Sequence, residues 1–580
     1  SLPGTVARGA RVTLTATIQP LPPGDYFLDF TMVKSGGPVF TDEQVPPARI
    51  VLKIIDIPPV LQELHPPNGY QTPTLQPRLW ARALDIDAPP NSALRYKFEL
   101  CERDAAGKPV RCEVTPYQTG PAWTPPAGKL VWSKGYLWRA FVKDGGNEVD
   151  SPWSTLLTEV PQPAVTSRIA GAPYGSQGRE FDPQVGNYTT AALDAPVTTV
   201  GPELRLVRTY NSLDPRRDSA FGAGWSTRYD MRITPDADGS GNVVVRYPDG
   251  QEVRFGKNPN GTFATPSGRT AALTPDGSAW RLADKSGTVY HFSGTGRLTK
   301  ITDVAGRSVV LTYDPMNGAL TKASVSNSQT NRSGRSLRFT WTGGRVTAVS
   351  TDQVGDVPLT WTYTYTGDQL TKVCATDGSC TSYTYTTGSH YRGAVLDDAP
   401  ESYYRLGEAD GGDAASEIAV NLGKDRARYQ QVTLGAAGGV AGSPDTAATF
   451  NGTSSIVDLP KGLLKRSGDQ AVELWFRANP TGPGGPLLGY QDKPLGQAAN
   501  GVPVLYLGTD GRLHGQFHTG SINPIASTLT VNDGRWHHAV LSATAGTQTL
   551  YVDGTAAGSR TFASVTEPAE LTVNQLGAAH

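Results

Sequence analysis

The feature that most constrains this chain is a short motif that recurs four times between residues 296 and 385. Each copy starts at a glycine, continues through Leu or Val, Thr and then Ile, Val or Ala, and returns in an aromatic-rich stretch. The starting glycines are Gly296, Gly318, Gly344 and Gly367. A unit this short holds one hairpin, and a single hairpin is not stable alone in water. The copies are therefore predicted to pair edge to edge in one continuous sheet.

The composition agrees with an all-β chain of several domains. Gly 65 and Pro 45 among 580 residues supply many turns and leave little room for helices. The formal net charge of −1 leaves no basic surface for nucleic acid. No apolar run is long enough to cross a membrane. We therefore expect neither a nucleic-acid partner nor membrane insertion.

The four cysteines form two close pairs, Cys101 with Cys112 and Cys374 with Cys380. The second pair brackets a turn in which Gly378 can take the left-handed conformation, which places Cys374 opposite Cys380 on a hairpin. Two disulfides are the favoured prediction, and they indicate an oxidising, extracellular compartment. Free buried thiols and a metal site are the alternatives, although neither pair has CxxC spacing.

Residues 1–163 have the strand pattern of immunoglobulin-type sandwiches. We assign 1–57 to the C-terminal part of one Ig-like domain and 58–163 to an Ig/FnIII-like domain. Alternating apolar and polar residues predict the following strands: 11–18, 26–33, 48–55, 78–84, 94–101, 136–142 and a closing strand at 151–154. Four tryptophans are expected to fill the second core: Trp80, Trp123, Trp132 and Trp138.

Three motifs follow a Pro- and Gly-rich connector in the order 181–188, 204–212 and 221–226. Their order resembles the N-terminal module of RHS-repeat proteins, which we assign to 164–255. The repeated motif resembles the YD repeat, which we assign to 256–389. In that family the repeat sheet winds into a hollow shell, so the resemblance implies the same here, with the remainder of the shell as a partner.

The RHS resemblance also implies a large secreted or cell-surface protein, either a toxin or an adhesion protein. The first residue is Ser1, and the chain stops in strand-like sequence. We therefore expect a fragment of a longer protein, with any toxic activity encoded beyond residue 580.

Residues 390–580 resemble a laminin-G or concanavalin-A-like jelly roll that is truncated at its C-terminus. Five sequence blocks carry the resemblance, in the order 404–408, 450–452, 473–475, 536–538 and 551–554. The resemblance implies a module that binds a glycan or a cell-surface protein. The predicted fold class is thus all-β, with Ig/FnIII-like sandwiches, a YD-repeat shell segment and a laminin-G-like jelly-roll sandwich.

No catalytic residue is predicted. Glu473 lies on a strand that carries paired acids in glycosidases of related shape, but the next residues on its face are Trp475 and Arg477. His537 and His538 are neighbours on a strand, so they point to opposite faces and cannot hold one ion from one side. The segment is expected to be no enzyme and to need no cofactor, with calcium as the exception left open.

The calcium candidates are four oxygen-bearing residues of the jelly roll: Asp445, Asn451, Asp458 and Asp510. They could contribute ligands at its rim, and ordinary turn roles are the alternative. The repeats also place two tyrosine pairs on strand faces: Tyr363 with Tyr365, and Tyr383 with Tyr385. Cross-strand packing is the predicted role of these rings, and a sugar-stacking surface is the alternative.

The sequence therefore predicts a non-catalytic structural and binding segment of a large secreted RHS-repeat protein. Two other readings stay open. One is a polysaccharide hydrolase that acts through the jelly-roll cleft, and the other is an adhesion protein similar to teneurins.

Overall fold

A computed structural model describes most of the chain. The described residues are 24–33, 46–86, 94–169, 180–182, 186–236, 238–327, 332–354, 357–385, 390–418, 425–441, 443–464, 469–493, 499–519, 521–544, 546–562 and 573–577, with 7, 9–13, 15, 17–18, 21, 37, 39, 41, 44 and 497. Strands and turns dominate these residues, which confirms the all-β fold class. The helices bounded within them are the α-helix Tyr391–Asp397 and the 3-10 helix Arg228–Asp230. None of the described helices is long and apolar enough to cross a membrane.

The chain forms two compact units. The first comprises Ser1–Pro161, Arg232–Val245 and Arg254–Val304. The second comprises Gln162–Met231, Arg246–Val253 and Ala305–His580.

The first unit begins with a two-stranded antiparallel ribbon. Gly24–Phe30 pairs with Ala48–Ile54, with Gly24 opposite Ile54. The strand predicted at 11–18 is not formed by the described residues in that range, which lie outside any strand. Residues 14 and 16 fall outside the described residues.

The Ig/FnIII-like sandwich of the first unit has two sheets. One sheet contains Val60–His65, Leu79–Leu84 and Ala122–Trp123. The other contains Tyr70–Thr72, Arg95–Arg103, Pro109–Val114, Gly135–Lys143, Glu148–Asp150 and Ser154–Thr158. Alternate residues of Arg95–Arg103 and Gly135–Lys143 are buried, because successive side chains of a strand point to opposite faces.

The tryptophans of this sandwich divide between its core and its surface. Trp138 is fully buried in the core and Trp123 packs against it. Trp132 is also buried, whereas Trp80 is half-buried and lies 5.3 Å from the ring of His65. The closing strand is Ser154–Thr158, so the prediction of a strand at 151–154 was wrong. Trp153 instead precedes the strand, and the guanidinium of Arg139 lies 4.5 Å from its ring.

Two more sheets follow in the chain. The first contains Arg232–Pro235, Val243–Arg246, Glu252–Lys257 and Phe263–Ala264. Within the first unit, four further strands pair antiparallel in chain order: Ala272–Asp276, Ala279–Ala283, Val289–Phe292 and Leu298–Thr302.

The second unit contains the repeats, in what we call the repeat sheet. Its strands pair antiparallel in chain order: Arg307–Tyr313, Leu320–Asn327, Arg332–Thr342, Arg345–Val354, Val357–Thr366, Gln369–Cys374 and Cys380–Ser382. The prediction that these hairpins join into one sheet is confirmed for this stretch. Gly318, Gly344 and Gly367 have φ of 72°, 76° and 61°, the left-handed conformation that these tight turns need. The last strand ends at Ser382, before the predicted position at 383–385.

A second sheet of this unit, which we call the flanking sheet, contains Phe181–Asp182, Asn187–Val197, Leu204–Asn211 and Trp225–Thr227. It meets the repeat sheet closely near Gly222. A Cβ on this glycine would lie 2.8 Å from the backbone oxygen of Asp368, and its φ is +96°. Only glycine fits there without displacing one of the two backbones.

The jelly roll of the second unit has two main sheets. The larger runs in the order Asp413–Ala414, Ala427–Gln430, Ile456–Leu459, Val573–Leu576, Gly485–Gln491, Gly501–Leu507, Arg512–Gly515 and Ile525–Thr530. The smaller runs in the order Gln470–Arg477, Trp536–Thr544, Thr547–Val552 and Thr555–Thr561. Thr433–Ala437 and Thr446–Thr449 form a separate ribbon. The buried core between the sheets includes Leu505, Phe517, Leu541 and Leu550.

Both predicted disulfides are present. Cys101 and Cys112 are bonded, as are Cys374 and Cys380, which lie opposite each other in the register of their hairpin. Gly378 has φ of +84°, as the turn between them requires. The alternatives of free thiols and a cysteine metal site are therefore excluded for these residues.

Candidate functional site

The repeat tyrosines lie against the flanking sheet. The ring of Tyr363 lies 5.1 Å from Phe221, and the ring of Tyr383 lies 5.1 Å from Trp225, both edge-on. The hydroxyl of Tyr385 accepts a hydrogen bond from Trp225 Nε1 at 2.9 Å and donates to Leu370 O at 2.7 Å. These tyrosines are packing residues, as predicted, and they contact both the flanking sheet and neighbouring strands of the repeat sheet. Tyr363 is buried, so a sugar-stacking surface is excluded for this ring.

A buried ion pair lies at the centre of this contact. Arg208 is 1 % exposed and forms a bidentate pair with Asp194, through Nε and, at 3.0 Å, through Nη2. Tyr363 donates to Asp194 Oδ2 at 3.0 Å, and the ring of Trp225 lies 4.4 Å from the guanidinium. Burial lowers the pKa of Arg208, but the hydrogen bond and charge of Asp194 outweigh it and raise that pKa overall. The opposite charges of Arg208 and Asp194 pair with each other, and Tyr363 of the repeat sheet bonds to the same aspartate, so the cluster joins the two sheets.

The α-helix Tyr391–Asp397 contacts both the segment at 165–166 and the jelly roll. Oδ1 of Asp397 accepts hydrogen bonds from the backbone N–H of Val165 at 2.6 Å and of Thr166 at 2.8 Å. Gly393 allows the close approach, because a Cβ there would lie 2.7 Å from Leu213 O.

The other end of the helix contacts Glu473. The hydroxyl of Tyr391 donates to Glu473 Oε1 at 3.0 Å and accepts from Trp475 Nε1 at 2.9 Å. His538 Nε2 lies 3.6 Å from the same carboxylate oxygen. The carboxyl group that would act in a jelly-roll hydrolase is thus held by two neighbouring side chains, Tyr391 and His538.

The electrostatics at Glu473 do not suit a general acid. His538 and then Tyr391 stabilise the carboxylate and lower the pKa of Glu473, although burial acts in the opposite direction. A glycosidase acid needs a raised pKa so that it is protonated near neutral pH. The position of Glu473 therefore favours a structural role over catalysis.

The neighbouring residues His537 and His538 make separate contacts. His537 lies opposite Phe476 and His538 opposite Trp475, which places them on different faces of the smaller sheet. His537 Nδ1 is 2.8 Å from Asp553 Oδ2, and Nε2 is 3.1 Å from Asp533 Oδ1. Burial lowers the pKa of His537, but the two aspartates outweigh it, so that pKa is raised. His537 joins the loop at 533 to the hairpin turn at 553.

Three of the four calcium candidates have hydrogen-bond or ion-pair partners among the described residues. Asp445 pairs with Arg405 at 2.6 Å, and Asp510 accepts from Arg512 N at 3.1 Å and lies 3.3 Å from His514 Nε2. Asn451 Oδ1 accepts from the backbone N–H of Thr453, Ser454 and Ser455. Asp458 is opposite Arg428 in the larger sheet.

These candidates are not gathered around one point. In the described part of the chain, the close grouping of three His, Cys, Asp or Glu side chains is Glu99, Cys101 and Cys112, and it includes none of them. Because that grouping contains a disulfide, it is not a metal site. Calcium binding stays a prediction.

A cleft of about 190 Å³ opens at one edge of the jelly roll. It lies where the outermost strand of the larger sheet, Ile525–Thr530, approaches the outermost strand of the smaller sheet, Thr555–Thr561. The lining residues are mostly amides and hydroxyls: Gly515, Gln516, Thr519, Ser521, Asn523, Ile525, Gln548, Arg560, Thr561 and Phe562.

Two buried glutamines hold the polar part of this cleft in place. Gln516 donates to Ser521 O at 2.5 Å and accepts from Asn523 N at 2.6 Å. Gln548 accepts from Phe517 N and donates to Phe517 O, both at 2.8 Å. A carboxamide has two N–H groups and two lone pairs, so each side chain keeps hydrogen-bonding capacity beyond these contacts. The polar wall is therefore fixed in position before any ligand binds.

The rim of the cleft is exposed. Ser521, Asn523, Arg560 and Thr561 are all accessible to solvent, and Phe562 is half-buried. Ile522, in the loop beside the cleft, is 76 % exposed. Sequence reasoning missed this site, because isolated Thr, Ser, Asn and Gln residues have no characteristic spacing.

Two segments of the chain match known family models. Residues 451–580 match the Concanavalin A-like lectin/glucanases superfamily, and residues 178–255 match a Domain of unknown function (DUF6531). The predicted concanavalin-A-like domain is confirmed by the first match.

Curated relatives share one stretch with the chain. It is 35 % identical over 133 residues to the tRNA nuclease WapA of Bacillus subtilis (strain 168) and to the tRNA3(Ser)-specific nuclease WapA of Bacillus spizizenii. The stretch is 23 % of this chain and 6 % of the length of each relative. The chain thus spans a small fraction of these proteins.

Solved structures give only distant likenesses. A Trypanosoma rangeli sialidase with 2,3-difluorosialic acid is 12 % identical with a TM-score of 0.23, covering 79 % of this chain and 90 % of that chain. A TcdB2-TccC3-Cdc42 structure is 12 % identical with a TM-score of 0.26, covering 66 % and 27 %. At such TM-scores neither likeness carries an argument about function.

Proposed function

We propose that this chain is a non-catalytic structural and binding segment of a large secreted RHS-repeat protein, and that its jelly roll binds a glycan. The observation that carries the proposal is the cleft at the jelly-roll edge, whose lining combines fixed amides, exposed hydroxyls and the ring of Phe562. Binding sites use a few well-placed polar groups beside an apolar surface, and sugars present hydroxyls together with apolar ring faces.

The structural half of the proposal is supported by the repeat sheet. Its strands follow one another in chain order, as expected of a segment that other repeats would extend. The segment homology to the WapA nucleases, which are far longer than this chain, agrees with a place in a large protein. The remainder of the repeat shell is the proposed partner of this sheet.

The non-catalytic half is supported by Glu473. Its lowered pKa and its contacts with Tyr391 and His538 leave it poorly suited to protonate a leaving group. The two disulfides support the secreted location, because disulfides persist in oxidising compartments. Toxic or nuclease activity, if the whole protein has one, is assigned outside this segment.

A glycan array and a hydrolysis assay on the purified chain test the proposal together. We expect binding of at least one glycan and no release of reducing sugar from polysaccharides. Asn523→Trp should abolish binding, because the exposed Asn523 lines the cleft and an indole there would fill it. Thr433→Trp, at an exposed position on the separate ribbon, is the matched control and should bind normally.

The proposed glycan binding and the proposed lack of catalysis can each be disproved separately. Glycan binding that Asn523→Trp leaves unchanged would remove the cleft from the proposal. Reducing-sugar release that disappears in Glu473→Gln would show that the jelly roll is a hydrolase.

A further inference from the structure

We infer that the glycan bound in the cleft is acidic and that its carboxylate or sulfate pairs with Arg560. This inference depends on the proposed function, since it names the chemical class of the ligand at the same site. Its basis is the charge of the cleft rather than its shape.

Arg560 is the one charged residue among the ten that line the cleft. It lies directly opposite Gln548 in the register of the smaller sheet, so both side chains are on the same face of that sheet and both line the cleft. A single positive group in an otherwise neutral polar site selects for a ligand with one negative group.

The side chain of Arg560 has no carboxylate within ion-pair distance among the residues that the structure describes. Other arginines of the jelly roll do have one. Arg405 is 2.6 Å from Asp445, Arg426 is 3.0 Å from Asp413 and Arg535 is 3.8 Å from Asp533. The guanidinium at the cleft is therefore available to an external anion without breaking an internal ion pair.

A guanidinium has a planar set of N–H donors that matches a carboxylate or sulfate in a two-point contact. The adjacent hydroxyl of Thr561 and amide of Asn523 can bond sugar hydroxyls, and the half-buried ring of Phe562 offers an apolar surface. These groups together suit a ring that carries both hydroxyls and a negative charge, such as a uronic acid or a sulfated sugar.

The size of the cleft indicates how much of the ligand enters it. Its volume of about 190 Å³ is below the ~300 Å³ at which pockets for drug-sized ligands begin. One acidic sugar unit is therefore expected in the cleft, with the rest of the oligosaccharide on the surface near Ile522.

The test measures binding of the full 580-residue chain to matched oligosaccharide pairs by titration calorimetry. One pair is oligogalacturonate and its methyl ester, which isolates the carboxylate. The other is a heparin hexasaccharide and its desulfated form, which isolates the sulfate. We expect at least one acidic member to bind roughly 10-fold or more tightly than its esterified or desulfated counterpart, with an affinity that falls as salt rises.

Arg560→Gln should weaken binding of the acidic member roughly 10- to 100-fold and remove its salt dependence. Arg560→Lys should restore part of the affinity, because the charge returns without the planar geometry. Arg535→Gln is the matched control, since Arg535 is an exposed arginine of the same domain outside the cleft, and it should bind as the wild type does. An unchanged thermal midpoint in Arg560→Gln shows that the fold is intact.

The other outcomes separate this inference from the proposed function. Equal binding of acidic and neutral glycans, blocked by Asn523→Trp but not by Arg560→Gln, overturns the acidic class and leaves glycan binding in place. Binding of polyglutamate through Arg560 without binding of any glycan assigns the cleft to an acidic peptide and overturns both. No binding of any probe overturns both as well.

Discussion

The flanking sheet and the jelly-roll cleft use an arginine in opposite ways. Arg208 is buried, bonded to Asp194 and covered by the rings of Trp225 and Tyr363. Arg560 is exposed at a cleft and has no carboxylate beside it among the described residues. The first arginine is part of the internal structure, whereas the second is available for an external ligand.

The contrast shows that residue type alone does not distinguish a structural site from a binding site. Tyrosines, tryptophans and a charged pair at the flanking sheet would suggest a ligand site if they were exposed, but each has an internal partner. The cleft is lined mostly by neutral amides and hydroxyls. Its glutamines keep unused hydrogen-bonding capacity, and Arg560 carries one positive charge.

Arg208→Ala should destabilise the chain by about 3–5 kcal/mol, because it leaves Asp194 buried and unpaired. Arg560→Ala should change stability by less than ~0.5 kcal/mol, as expected of an exposed position. Urea unfolding followed by tryptophan fluorescence measures both. The double variant Arg208→Met with Asp194→Leu should recover much of the loss, and equal stability of the two Ala variants would contradict the comparison.

Replacing Cys374 and Cys380 together by serine should cost about 2 kcal/mol, because the short loop between them regains freedom in the unfolded chain. The effect should be local to the edge of the repeat sheet. Hydrogen exchange should therefore accelerate in Gln369–Cys374 and Cys380–Ser382, while ligand binding at the cleft stays unchanged. Faster exchange across the jelly roll instead would show that the two regions are not independent.

Tyr385→Phe should cost about 1–2 kcal/mol, because Trp225 Nε1 and Leu370 O both lose a partner at a largely buried site. Thr561→Val at the rim of the cleft is the counterpart, and it should leave stability nearly unchanged while weakening binding. Thermal unfolding measures the first effect and calorimetric titration the second. If Thr561→Val lost more stability than Tyr385→Phe, the cleft would be the structural region and the contact at Tyr385 would not be.

The smallest expected effect is a pH dependence in the jelly roll. The pKa of His537 is raised by Asp553 and Asp533, so its stabilising contribution is present below the unfolded value of about 6.5. That contribution is lost as the pH rises through the higher folded value. The backbone N–H of Arg535 and then His537 lower the pKa of Asp533. Burial raises the pKa of Asp553, but the backbone N–H of His538 and then His537 outweigh it and lower that pKa.

Thermal midpoints of the jelly-roll transition should thus fall between about pH 6 and 8 in the wild type. His537→Gln should remove the part of this change in thermal midpoint that His537 causes. The repeat-sheet transition, stabilised by the Arg208–Asp194 pair, should not change in this range. If the thermal midpoint of His537→Gln changed with pH as much as that of the wild type, the effect would belong to another group.

The sequence predicted the elements that depend on local patterns. The glycine period from Gly296 to Gly367 predicted the hairpins, and the ordered blocks from 404 to 554 predicted the jelly roll. The cysteine spacing around Gly378 predicted the second disulfide, because turn geometry is determined within a few residues.

What the sequence did not predict depends on distant residues meeting. Asp194 and Arg208 are far in the chain from Tyr363 and Tyr383, and nothing in the spacing of these residues indicates a buried cluster. The strand predicted at 383–385 was placed by alternating tyrosines, but those rings pack against the flanking sheet after the strand ends at Ser382. Gln516 and Gln548 line the cleft only because two sheet edges approach each other.

The helix Tyr391–Asp397 has a mechanical consequence. Its two ends bond to the backbone at 165–166 and to Glu473, so a tensile load applied at a surface-bound jelly roll would pass through these side-chain contacts as well as along the covalent chain. If the jelly roll were bound to a surface, these contacts would fix the orientation of the repeat sheet relative to that surface.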